Sequence, residues 1–150
     1  MHSRADPALR YPLTVYYDAS CPLCTAELET LKARDEDGLL HLVDCSKGVV
    51  AFEDVTQEQM MARIHARDAT GRWLRGMDVF AAVYRAAGLW TFARLYTSRW
   101  LRPLFDRLYP WIADNRQMLS RLGLSRLFRL FAPGAPSCTA CVRPPDSPPG

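Results

Sequence analysis

A chain of 150 residues, 17.0 kDa, with 49% hydrophobic and 23% charged residues fits one globular domain and excludes a largely disordered one. Its five cysteines are too sparse for a secreted disulfide scaffold, and no apolar run approaches the roughly 18 residues of a membrane span. The net charge of +3 is uneven: residues 1–84 carry −4 and residues 85–150 carry +7, with arginine as the only cation of the second part. That basic half is read as solvated helix faces, with no nucleic acid expected as a partner.

In chain order, residues 1–12 read as a flexible lead without the apolar core of a signal peptide, so a soluble, cytoplasmic protein is expected. Residues 13–17, Leu-Thr-Val-Tyr-Tyr, are rich in β-formers and predict a first strand. Asp18-Ala19-Ser20-Cys21-Pro22-Leu23-Cys24 follows and opens a helix over residues 22–34. Pro22 suits the first helical position, where its missing N–H costs nothing. Backbone N–H groups left unpaired at a helix N-terminus stabilise a thiolate over a thiol, and the thiolate is the reacting species.

Cys24, Leu28 and Leu31 recur at i, i+4 and i+7, the stripe of a helix packed on a sheet. Glu27 and Glu29 fall on the remaining faces. Cys24 is therefore expected to be the shielded thiol and Cys21 the exposed one. That asymmetry suits a dithiol in which Cys21 attacks and Cys24 resolves the mixed disulfide. Asp18 has two readings: it buffers the proton of Cys24, or it caps the helix.

Residues 35–38, Asp-Glu-Asp-Gly, predict a turn, and residues 39–43 a second strand. Cys45 lies just past that strand, as a small buried hydrophobe or an auxiliary thiol. Helical signals at 49–52 and 56–60 are weak, although Thr56 and Gln59 fit a capping box. Residues 62–67 alternate and predict a half-buried strand, with His65 on its polar face beside Arg63 and Arg67. Residues 68–71 turn it into a hairpin partner at 72–75. A helix follows Gly76, with Val79, Phe80, Val83 and Tyr84 on one stripe. The resulting order, β-α-β-α-β-β-α, is an α/β core of thioredoxin type.

From about residue 89 the chain turns helical and aromatic, with Pro103 and Pro110 expected to break or start helices. An apolar face at Leu119, Leu122, Leu127, Phe128, Leu130 and Phe131 predicts a helical layer over the sheet, or a peripheral membrane contact through arginine-rich helices. The domain is thus expected over residues 13–131, and residues 132–150 read as a Pro-rich tail. In the tail, Cys138 and Cys141 form a second CxxC. It reads as an incidental pair, a relay to Cys21–Cys24, or half of a Cys₄ zinc site made by Cys21, Cys24, Cys138 and Cys141.

Asp18-x-x-Cys21-x-x-Cys24 after a short strand resembles the DCC family of thiol–disulfide oxidoreductases. Gly76 before an apolar helix and Tyr109-x-x-Ile112-Ala113-x-Asn115-Arg116 resemble its later landmarks. The resemblance spans about residues 12–120 and implies a thioredoxin-like domain with added C-terminal helices. Cys21-Pro22 is also similar to the glutaredoxin site. One departure is that no proline lies between Pro22 and Pro103 to serve as the cis-proline that usually faces such a dithiol. The function expected is thiol–disulfide exchange on a protein or small-molecule disulfide, with no cofactor beyond a reductant such as glutathione. The alternative is a binding module whose cysteines are structural.

Overall fold

The computed structural model describes residues 8–48 and 52–123. Nine elements run β1 (Leu13–Tyr17), α1 (Pro22–Ala33), β2 (Leu40–Asp44), α2 (Gln57–Ala62), β3 (His65–Arg67), β4 (Trp73–Arg75), α3 (Met77–Ala86), α4 (Trp90–Thr97) and α5 (Arg102–Arg121). The sheet order is β2-β1-β3-β4; β1 and β2 are parallel, whereas β3 and β4 add antiparallel. This is the thioredoxin-like α/β core with a C-terminal helical extension.

Alternation along β1 divides the core. Leu13, Val15 and Tyr17 face one layer with Leu28 and Leu31 of α1 and Val79 and Val83 of α3. Tyr16 faces the other with Val43, Cys45, Val55 and Met60. Burying Leu28 and Leu31 contributes about 1.5–3 kcal/mol each, so α1 is fixed rigidly against the strand that leads into its cysteines.

Three strands end in the same local device. Oδ1 of Asp18, Asp44 and Asp68 each accepts the N–H and the hydroxyl of the residue two ahead: Ser20, Ser46 and Thr70. An Asp followed two residues later by Ser or Thr turns the chain sharply and satisfies backbone donors that the sheet no longer pairs. The turn expected at 35–38 is held likewise: Asp35 accepts the N–H groups of Leu39 and Leu40 at 2.8 and 2.9 Å. The Thr56–Gln59 capping box forms reciprocally, at 3.2 and 3.0 Å.

Four expectations change. Residues 8–12 are tied down, with Leu9 in the core and the Arg10 carbonyl accepting Ala69 N–H. Ala62 ends α2 instead of beginning β3, because the capping box extends the helix forward. His65 is buried, not on a polar surface: β3 is flanked by β1 and β4, its ring packs near Trp73, and Nδ1 bonds the Arg63 carbonyl. Burial holds its pKa below the ordinary value. Pro110 lies inside α5 and does not break it; the carbonyl it leaves unpaired within the helix belongs to the exposed Asp106.

The helical signal at 49–52 falls mostly outside the described residues; Phe52 packs edge-on against Tyr16 and Trp73. Leu127, Phe128, Leu130, Phe131, Cys138 and Cys141 also lie outside them, and with them the Cys₄ zinc alternative. Among the described residues no helix is long and apolar enough to cross a membrane.

Candidate active site

Cys21 is the N-cap of α1. Its backbone is extended and Pro22 begins the helix. The Cys21 carbonyl accepts Thr25 N–H at 3.0 Å, and Cys21 Sγ accepts Cys24 N–H at 3.4 Å. The Cys24 side chain is the largest cause of a Cys21 pKa lowered to about 6; burial opposes it, while Cys24 N–H and the charge of Arg116 assist. Cys24 moves the other way: donating to Cys21 holds its proton, and burial and the Cys21 charge raise its pKa further. At neutral pH the pair is one thiolate and one thiol.

Their exposure is the reverse of expectation. Cys21 has no accessible surface, whereas Cys24 is partly accessible. The helical stripe places Cys24 toward the sheet correctly, but a cavity separates it from full packing. The last turn of α5 faces Ser20 and Pro22, the neighbours of Cys21, across a pocket that they line together.

Asp18 uses both carboxylate oxygens away from the sulfurs. Oδ1 holds the Ser20 turn, and Oδ2 meets Arg116 Nη2 at 2.8 Å across 98 positions of sequence. Arg116 also donates to the Met61 carbonyl. These contacts hold the turn that leads into α1 and reach no N–H of the helix, whose cap is Cys21. Cys45 sits in the second core layer with its pKa raised to about 11 by burial and the neighbouring Asp44 charge, as befits a buried hydrophobe.

Two contributors lay beyond the sequence reading. Arg116 belonged to a motif without an assigned role, and only tertiary packing brings its charge to the thiolate. Glu27 was placed on a polar face, yet it lines the cavity beside Cys24 and accepts the Tyr84 hydroxyl at 2.7 Å. Burial pushes its carboxyl above the usual range. The available signal was positional: Glu27 lies three residues after Cys24 and so shares its face.

A sequence profile of DCC1-like thiol-disulfide oxidoreductases matches residues 15–122. The chain belongs to this family. Thiol–disulfide chemistry is what the DCC1-like family name describes, and the family's landmarks, scattered in sequence, converge here. Asp18 pairs with Arg116, the Tyr109 hydroxyl accepts Ile64 N–H at 3.0 Å, and Ile112 and Ala113 wall the cavity with Cys24. Gly76 allows the Tyr109 ring its position: a Cβ there would come within 3.3 Å of that ring.

An uncharacterized chloroplastic protein of Arabidopsis thaliana is 31% identical over 94 residues, which is 59% of this chain and 44% of the relative. The chain thus spans less than half the length of that relative. No solved structure matches significantly.

Proposed function

We propose that the reduced protein exchanges its Cys21–Cys24 dithiol with a disulfide carried by a protein or small molecule. The observation that carries this reading is the hydrogen-bonded sulfur pair at the α1 N-cap, with Cys21 held as the thiolate by Cys24.

The Cys21 thiolate attacks one sulfur of RS–SR′. A Cys21–S–S–R bond forms, the RS–SR′ bond breaks, and R′S⁻ leaves. Cys24 then loses its proton and attacks Cys21 Sγ; the Cys21–Cys24 disulfide forms and R leaves as the thiol RSH, taking that proton. The substrate has gained two electrons and the protein has lost them. Once the charge has left with R′S⁻, the hydrogen bond to a Cys21 thiolate and the Cys21 charge no longer raise the Cys24 pKa, although burial still does, so resolution is easier after attack than before. Two molecules of glutathione, oxidised to their disulfide, restore the dithiol in a reducing, cytoplasmic setting. Asp18 shapes the turn and anchors Arg116, which adds positive charge beside the reacting sulfur. Because Cys21 is buried, a bulky disulfide reaches it only when the residues around it shift.

The test is a trap. A Cys24→Ser, Cys138→Ser, Cys141→Ser protein keeps Cys21 but lacks Cys24 and both cysteines of the second CxxC. It is expected to hold mixed disulfides with protein or glutathione under mild oxidation, released by dithiothreitol and identified by mass spectrometry. The same variant with Cys21→Ser added is expected to hold none at this site. A complete lack of adducts in the first protein defeats the reading.

A further inference from the structure

We propose that the disulfides handled by this dithiol carry an apolar, ring-sized group on sulfur, and that this group is held in the cavity beside Cys24. The inference rests on the exchange reaction proposed above and names the substrate class it favours.

Position comes first. The cavity lies between α1 and α5 and reaches α3 and α4; Cys24 is in its wall, with Asp18 and Arg116 at the same end. A group seated there brings the sulfur it carries to the dithiol. Size comes second. The cavity measures about 270 Å³, whereas a buried cavity of about 150 Å³ already accepts benzene. A ring with a short linker therefore fits.

Chemistry decides the class. The wall is almost wholly apolar, with Leu28, Phe80, Phe105 and Ile112 contributed by three helices. Its polar groups are largely committed to one another. The guanidinium of Arg116 is shared by Asp18 and the Met61 carbonyl, and Glu27 holds the Tyr84 hydroxyl. Glutathione, with two carboxylates and an ammonium, would have to give up water for a surface that cannot replace it. An uncharged ring loses nothing of that kind and gains burial. Glutathione can therefore serve as reductant without occupying the cavity, whereas the selected substrate occupies it.

Two dialkyl disulfides of similar intrinsic reactivity test the inference, dibenzyl disulfide and bis(2-hydroxyethyl) disulfide. Each is reduced by the full-length reduced protein, and each rate is divided by the rate with free dithiothreitol. A preference of tenfold or more for the benzyl compound is expected. Ala113→Leu, which adds bulk to the cavity wall, is expected to cut that preference at least fivefold in protein shown to be folded by its near-ultraviolet spectrum. Independently of redox activity, the Cys21→Ser, Cys24→Ser protein is expected to bind benzyl phenyl sulfide, a thioether that cannot exchange, saturably at one site by calorimetry. Equal normalised rates, a preference that survives Ala113→Leu, or no saturable thioether binding overturns the substrate class while exchange itself stands. Failure to reduce either disulfide counts against the exchange reading instead, and thioether binding then judges the cavity alone.

Discussion

At Cys21 two effects oppose one another. Burial favours the neutral thiol, hydrogen bonds from Cys24 favour the thiolate, and the second wins, to about 6 against an ordinary 9.0. An acid with a depressed folded-state pKa stabilises the fold fully above its unfolded value and loses that contribution as pH falls through the folded one. The reduced protein should therefore gain stability over Cys21→Ser between about pH 6 and pH 9, read as the difference in urea midpoints; a difference constant across that window would refute the thiolate. Absorbance near 240 nm should show the same group titrating with a midpoint of about 6. Arg116→Leu should move that midpoint upward. It should also destabilise the protein by about 3 kcal/mol, the low end for a buried pair broken on one side, because Asp18 keeps its bonds to Ser20.

Among the elements, the junction between β4 and α3 is the least tolerant of change. Gly76 has φ +57 and ψ −126, a region that side chains rarely enter, and the Tyr109 ring stands over it. Its N–H bonds the Ile64 carbonyl, while Ile64 N–H bonds the Tyr109 hydroxyl. One glycine thus fixes α3, β3 and α5 together. Gly76→Ala should cost about 1–3 kcal/mol of backbone strain, measured by urea unfolding. Pairing it with Tyr109→Ala should recover only the contact part of that cost, because the positive φ remains. Full recovery would mean that the ring contact, and not the backbone, sets the requirement.

At the scale of the molecule, α5 ties the helices together. It spans Arg102–Arg121, docks on α1, α3 and α4, and brings the charge of Arg116 to Cys21. Two of its arginines are taken up by ion pairs, Arg102 with Asp78 and Asp106 and Arg116 with Asp18, and its Asp114 pairs with Arg63 of the α2–β3 junction. Arg102 and Arg116 thus bind acids of the negative half of the chain. Segments docked on a domain can open locally before the whole unfolds. Cys21 is buried, so its alkylation by iodoacetamide should be far slower than that of a free thiolate at the same pH, and should accelerate in urea below the unfolding transition. A rate equal to that of a free thiolate, independent of urea, would show that Cys21 is open in the folded protein.

The sequence by itself determined the local structures: β1, the proline-started helix behind a capping cysteine, the Thr56–Gln59 box, the hairpin and the order of the sheet elements. Each depends on residues within a turn or two of one another, where propensity and spacing act directly. It also determined which two cysteines lie together, since a three-residue separation at a helix start leaves them adjacent. Exposure was decided only by tertiary structure. Cys21 sits at a helix cap and is nevertheless buried, and whether Glu27 is polar surface or cavity wall depends on α5 standing over that face of α1. His65 became buried because strands close on both its edges, and Arg116 acquired a role because β1 ends where α5 passes. Burial and long-range charge are properties of what covers a residue, and no spacing within a segment encodes the cover.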